Sequence, residues 1–332
     1  MREPIVRIGF CVPMNEVWTE AASELEHEFG DSIGVIRGIE PSLAAFSGLD
    51  AVIANVIDRS YYEKTTGLKA VFVPFVGVNH LPADLLIERG VSVFNCHGNA
   101  ESVAERALAL ALAGFGRIIE FHNDLRAETW HGFWVNKGRE DFWHSIFRKR
   151  CAVLGVGAIG ETLARLLKAF DCHVTGYRRK TGSPVPAHFD EVTTDLRAAV
   201  SGADIVFIAL PLTDATRGLV GAAELEAMRG AYLVNVGRGE VVDESALYSA
   251  LKDGTLSGAG IDVWYTYPKG GSVIGAPSRF PIHQLPNVVL SPHVAGSTWE
   301  AVDINVRQTI DNLKLWIHTG DAHHRVDLAA SY

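Results

Sequence analysis

The residues best suited to chemistry fall in three short stretches of the C-terminal two-thirds of this sequence. In VLGVGAIG, Gly155, Gly157 and Gly160 stand in G-x-G-x-x-G spacing between an apolar run starting at Cys151 and the helix-like ETLARLLKAF. In that setting the first glycine permits a tight turn. The second lets backbone approach a pyrophosphate, and the third lets helix pack closely on strand. The helix start then offers N–H groups and a positive dipole end to an anion. In LVNVGRGEVV, Arg238 lies between Gly237 and Gly239, and in LSPHVAGST, His293 follows Pro292 and precedes Gly296. A guanidinium clamps a carboxylate and polarises a neighbouring ketone, and an imidazolium supplies a proton as hydride arrives. The Arg and His together therefore suit reduction of a 2-oxo acid.

The identity of the dinucleotide is suggested further along. About 20 residues past the glycines, an acid would hold the ribose 2′-hydroxyl of NAD. Here HVTGY ends at Tyr177 and is followed by Arg178, Arg179 and Lys180. Guanidinium groups pair with a 2′-phosphate, whereas a carboxylate repels it, so NADP is expected in preference to NAD.

Such residues need a scaffold that gathers strand ends. Between Ile5 and Cys96, short β-rich runs such as AVFVPFV and VSVFNC alternate with helical stretches such as EVWTEAASELEHEF. This alternation predicts a first parallel α/β unit. From Cys151 a second series, including CAVLGV, HVTGY, DIVFIAL, YLVNVG, GAGIDVW and NVVLSPH, predicts a doubly wound parallel sheet with helices on both faces. The segment NAESVAERALALALAGFGRIIEFHNDLRAETW keeps helical spacing over several turns and ties one unit to the other. The last helix, WEAVDINVRQTIDNLKLWIHTG, follows the second sheet and is expected to pack back on the first unit. Residues 131–149 and 268–285 read as loops.

A chain of 332 residues is long for one core and suggests two domains. A net charge of -9 without basic runs argues against nucleic acid or an anionic membrane as main partner. No secretory h-region and no membrane-length apolar run is evident, and the four cysteines are scattered without metal-ligand spacing. These features predict a cytoplasmic protein with reduced thiols and no metal site.

Six stretches, GNAESVAERALAL, VLGVGAIG, ALPLTDATRGLV, VNVGRGEVVDESAL, GAGIDVW and LSPHVAGST, occur in the order and spacing of one family. On these the chain resembles the D-isomer-specific 2-hydroxyacid dehydrogenases. The resemblance implies a flavodoxin-like substrate (catalytic) domain, residues 1–100 plus 297–332, and a Rossmann-type dinucleotide-binding domain, residues 101–296. It implies hydride transfer between NADP(H) and C2 of a small 2-hydroxy or 2-oxo acid, in a homodimer built through the Rossmann domain. Position by position it makes Arg238 the substrate-binding arginine and His293 the acid/base. Val76 and Gly77 lie in the loop whose N–H groups hold the substrate carboxylate, and Asn99 lies at the hinge. Ala158 and Ile159 supply pyrophosphate-facing amides, and Leu210 and Pro211 line the adenine side. Val236 belongs to the cofactor pocket, Asp262 lies near the nicotinamide carboxamide, and Arg178 occupies a position acidic in NAD-using relatives.

One position departs from the pattern. Five residues after Asp262, where the family carries a glutamate paired with the histidine, this chain has Tyr267. A tyrosine can orient an imidazole by a hydrogen bond but supports imidazolium far less than a carboxylate. Trp264 and Tyr265 are expected to cover the cofactor pocket. The departure keeps two further readings open: a cofactor-binding, corepressor-like module with little catalysis, or oxidation of a very small donor such as formate.

Overall fold

Runs rich in Val, Ile, Phe and Ala form the strands of two parallel sheets in the computed structural model. It describes residues 6–38, 43–54, 57–180, 182 and 184–329. The outermost residues of the stretches assigned to the first unit, 1–5 and 330–332, lie outside the described residues, as does Asn55 after the third strand. The backbone separates into two units, Met1–Asn99 with Ser297–Tyr332, and Ala100–Gly296.

In the first unit, β1 (Val6–Cys11), β2 (Ile33–Arg37), β3 (Ala51–Ala54), β4 (Ala70–Phe72) and β5 (Ser92–Phe94) pair in the order β2-β1-β3-β4-β5, all parallel. This is the flavodoxin-like order. Every residue of β3 is fully buried, as expected of a strand covered on both faces. The helix Trp299–Thr319 is capped by Thr298, whose hydroxyl accepts the Ala301 N–H, and it ends at Gly320 with φ +77°. Its buried Val306, Ile310, Leu313 and Trp316 share one core with Ile8, Phe10, Ile53 and Phe72. The last helix therefore returns to the first unit, as its apolar spacing suggested.

In the second unit, β6 (Arg150–Leu154), β7 (His173–Tyr177), β8 (Glu191–Thr193), β9 (Ile205–Ile208), β10 (Tyr232–Asn235), β11 (Gly258–Ile261) and β12 (Val288–Leu290) form one parallel sheet. The order is β12-β11-β10-β9-β6-β7-β8, so the winding reverses between β6 and β9. Ligands of open α/β sheets bind outside the strand ends at such a point. Helix Ala100–Phe115 buries Val103, Ala107 and Leu110 in a core with Val153, Phe207 and Val234. Its Leu/Ala richness thus serves packing within the unit. The helical reading through Trp130 is interrupted. Arg117 adopts φ +54°, which cannot continue a right-handed helix, and a second helix runs over Ile118–Arg126.

The segment after it has little regular structure but is well braced. The two ring nitrogens of His131 contact Asp141 Oδ1 at 2.8 Å and Asp124 Oδ2 at 2.9 Å, and the ring stacks on Phe121 at 4.4 Å. Two acceptor carboxylates favour the doubly protonated ring, and the bond to Asp141 leads the rise of its pKa above the ordinary value.

Candidate active site

The loop after β6 shows what each glycine is for. Gly155 has φ +112°, and a Cβ there would lie 2.8 Å from the Ala209 carbonyl oxygen at the end of β9. A Cβ on Gly160 would collide with the Gly155 carbonyl, so strand and helix cross with no side chain between them. At Gly157 the opposite holds: a Cβ would meet nothing within 4 Å. Backbone is exposed there, at the start of helix Ala158–Lys168, which has no side-chain cap. This open, uncapped helix start leaves the Ala158 and Ile159 amides for an anion, so the residues present fit a dinucleotide pyrophosphate. Leu210 is buried and Pro211 partly so, in the turn after β9.

Beyond β7, the Arg178 N–H donates to the Thr193 carbonyl at 3.1 Å, and Nη1 donates to the Pro184 carbonyl at 3.0 Å. Arg178 is half-buried and Arg179 exposed.

Arg238 is positioned by its neighbours. Asn235, the last residue of β10 and buried, accepts the Gly237 N–H at 3.1 Å and donates to the Arg238 carbonyl at 3.0 Å. A Cβ on Gly237 would lie 2.6 Å from the Leu210 carbonyl oxygen, and one on Gly239 would collide with the Trp264 carbonyl. The flanking glycines therefore let the turn pass between two neighbouring strand ends. The Arg238 side chain donates to the Gly237 carbonyl at 2.7 Å, and burial lowers its pKa from the ordinary arginine range. An arginine stays charged throughout. Val236, just ahead of the turn, is buried.

His293 is held from behind by Asp262. That carboxylate, 1% exposed after β11, accepts the Ser291 hydroxyl and the N–H groups of Val294 (3.0 Å) and Ala295 (3.1 Å). These donors bracket His293, whose φ of +58° is left-handed and uncommon for a residue with a side chain. With its acceptor atoms so engaged, Asp262 braces the His293 turn as well as lying where the family resemblance puts a nicotinamide neighbour. The imidazole edge is exposed, but the protein behind the ring costs it solvation and Arg238 adds like charge. Both lower the His293 pKa, and Asp262 opposes them.

The aromatic segment takes one correction, at Tyr267. Trp264 is buried and donates through Nε1 to the Ser291 carbonyl at 2.9 Å, while the Tyr265 hydroxyl donates to the Val242 carbonyl at 3.0 Å. Both belong to the packing around the core under β10 and β11, so each acts as an internal brace. Tyr267 does not hydrogen-bond the imidazole. Its hydroxyl accepts the Trp264 N–H at 3.0 Å, and its ring lies 5.4 Å from that of His293 at 48°. Among the described residues no carboxylate pairs with His293, and no group of His, Cys, Asp or Glu could hold a metal ion.

The site residues of the first unit follow β4 and β5. Val76 and Gly77 are half-buried, and Asn99 closes the unit's N-terminal segment. Neighbouring strands bring the two loops together: Asn95 Nδ2 donates to the Val76 carbonyl at 2.8 Å. Sequence reasoning missed both Asn95 and Asn235. The second had a local signal, an asparagine two residues ahead of a glycine turn; the first had none.

Residues 108–295 match the family described as D-isomer specific 2-hydroxyacid dehydrogenase, NAD binding domain. The chain is 32% identical over 260 residues to glyoxylate/hydroxypyruvate reductase B of Yersinia enterocolitica, spanning 77% of each. It is 30% identical over 267 residues to a glyoxylate reductase of Korarchaeum cryptofilum, covering 80% of this chain and 78% of that one. Among solved structures it resembles an NADPH-dependent glyoxylate/hydroxypyruvate reductase of Sinorhizobium meliloti in complex with NADP and malonate. The TM-score is 0.78 at 25% identity, with 98% of both chains covered. Among the described residues no helix is long and apolar enough to cross a membrane.

Proposed function

The chain belongs to the D-isomer-specific 2-hydroxyacid dehydrogenase family, and from that premise we propose that it is an NADP-preferring reductase of small 2-oxo acids. The observation that carries this reading is the bracing of Arg238 and His293 at the ends of β10 and β12, in the unit that bears the dinucleotide loop. The named activities of its relatives, on glyoxylate and hydroxypyruvate, suggest a substrate of two or three carbons.

When bound, NADPH supplies the hydride. Gly157, Ala158 and Ile159 receive its pyrophosphate, Leu210, Pro211 and Val236 line its pocket, and Arg178 with Arg179 meets the 2′-phosphate. Arg238 takes the substrate carboxylate through its planar fork and polarises the C2 carbonyl, and in the first unit the Val76 and Gly77 amides serve as carboxylate donors. Asn99 contributes to holding the small substrate from the end of the first unit's N-terminal segment. Asp262 keeps the His293 turn in place, and the imidazolium passes a proton to the C2 oxygen as charge develops there.

Burial and the Arg238 charge set the pH range of this proton transfer, with no carboxylate at position 267 to offset them. Because the His293 pKa is lowered, the fraction of imidazolium falls with rising pH at a lower pH than for an ordinary histidine. Reduction is therefore strongest on the acid side of neutrality. The test is a panel of glyoxylate, hydroxypyruvate, pyruvate and bulkier 2-oxo acids with NADPH and NADH across pH. NADPH oxidation confined to small acids, falling as pH rises, is the expected result. Tyr267→Glu, by supplying the missing charge partner, should move that limb to higher pH. Binding of NADPH without turnover of any acid would replace the enzyme reading by the corepressor-like one.

For the homodimer, support comes from the exposed apolar side chains Ile118, Leu125, Trp130, Phe133, Trp134 and Trp143, which fall within residues 118–143, with Trp134 80% exposed. Exposed large apolar side chains concentrated in one braced segment suit self-association. Sedimentation equilibrium at a monomer mass would refute it.

A further inference from the structure

The loop after β4 is braced from behind through two of its carbonyls. The Cys96 N–H donates to the Phe75 carbonyl at 3.4 Å, and Asn95 Nδ2 donates to the Val76 carbonyl at 2.8 Å. In a trans peptide the carbonyl and the following N–H point in opposite directions, and none of the described peptides is cis. Holding the Phe75 and Val76 carbonyls on one side therefore turns the Val76 and Gly77 N–H groups to the other. Neither N–H donates to any group among the described residues. Two adjacent, unengaged backbone donors in a half-buried loop suit an anion.

Asn95 itself is firmly placed. It is 6% exposed, and its own N–H donates to the His324 carbonyl at 3.2 Å. With Nδ2 directed at a carbonyl, Oδ1 accepts from His97 Nε2 at 3.3 Å, which makes that nitrogen the protonated one. The His97 ring stacks on His324 at 4.8 Å, and the His97 backbone N–H donates to Gln308 Oε1 at 3.1 Å. Burial, then the neighbouring His324, lowers the His97 pKa, which keeps the ring neutral with its proton on Nε2. Gly98 N–H and Cys96 Sγ are tied in turn to Asn305 and Thr309 on the last helix. The amide of Asn95 thus has one orientation, set by contacts well outside the loop it controls.

We propose that Asn95 is a positioning residue for substrate binding: by holding the Val76 carbonyl it aims the Gly77 N–H at the substrate carboxylate. This rests on the reading that the Val76 and Gly77 amides receive that carboxylate. It makes Asn95 a determinant of substrate affinity and leaves the hydride and proton steps to other residues.

The test uses the full chain, a 2-oxo acid turned over by the wild type, and oxamate as an unreactive carboxylate probe. In Asn95→Leu, KM for the acid and Kd for oxamate should both rise about tenfold, the loss of one well-aimed hydrogen bond to a charged group. kcat should stay within about threefold and NADPH Kd should not move. In Asn95→Asp, affinity should be weak at neutral pH and recover relative to wild type as the new carboxyl is protonated and donates to Val76 again. A purely structural role would not produce that recovery. Unchanged KM in folded Asn95→Leu, or no recovery in Asn95→Asp, overturns the inference. Gly77→Pro, which removes the N–H, separates the two levels. If it raises KM while Asn95→Leu does not, only the inference on Asn95 fails. If it leaves KM unchanged, the amide reading fails and the inference with it.

Discussion

Arg238→Ala is expected to lower kcat/KM for a 2-oxo acid by roughly a thousandfold or more, with NADPH Kd within about twofold of wild type. Removing one donor aimed at developing charge costs on the order of 10²–10³ in rate. The guanidinium here has two tasks, holding the carboxylate and polarising the carbonyl, so the loss should reach the upper end of that range. The turn itself should survive, because Asn235 holds it through the Gly237 N–H and the Arg238 carbonyl, and neither bond involves the lost side chain. Arg238→Lys keeps the charge but not the fork, so it should recover only part of the activity. A second signature follows from the electrostatics. Arg238 is one of the groups that lowers the His293 pKa, so the residual activity of Arg238→Ala should fall off at a higher pH than wild type. Steady-state kinetics and NADPH fluorescence titration test both points. A kcat/KM within tenfold of wild type would remove Arg238 from the mechanism.

Arg178→Asp should swing the ratio of kcat/KM with NADPH to that with NADH toward NADH by roughly 10²–10³. A hydrogen bond to a charged group contributes about 1.5–3 kcal/mol, and the introduced carboxylate adds repulsion with a 2′-phosphate. Since about 1.4 kcal/mol corresponds to tenfold, the two together give that range. Arg178 is the better placed of the two arginines: its backbone is fixed to β8 through Thr193, and its guanidinium already lies along the loop at Pro184. Arg179 is exposed, and Arg179→Ala should cost less. The NADPH preference of the wild type should also weaken as salt is raised, because a half-exposed ion pair is screened. An unchanged cofactor ratio in Arg178→Asp would overturn the assignment of the 2′-phosphate to this loop.

Much of the scaffold is legible in the residues alone. Continuous apolar runs such as IVFI (205–208) are what a strand covered on both faces requires. Gly155 and Gly160 announce a strand–turn–helix because only a residue without Cβ tolerates φ +112° or so close a crossing. These are local demands, met within a few residues of chain, and the sequence by itself determined them: two α/β units, the dinucleotide loop, and arginine and histidine at strand ends. The helix predicted across Gly116 failed because spacing reports periodicity and does not register a left-handed Arg117. What only the tertiary structure decided is how the reactive groups are held. Asp262 reaches across about thirty residues to bracket His293, Asn95 crosses from β5 to the loop after β4, and Tyr267 meets the imidazole with its ring while its hydroxyl goes to Trp264. A hydrogen bond between distant segments depends on which strands become neighbours, and strand order is set by the packing of the whole sheet and not by the residues at either end of the bond.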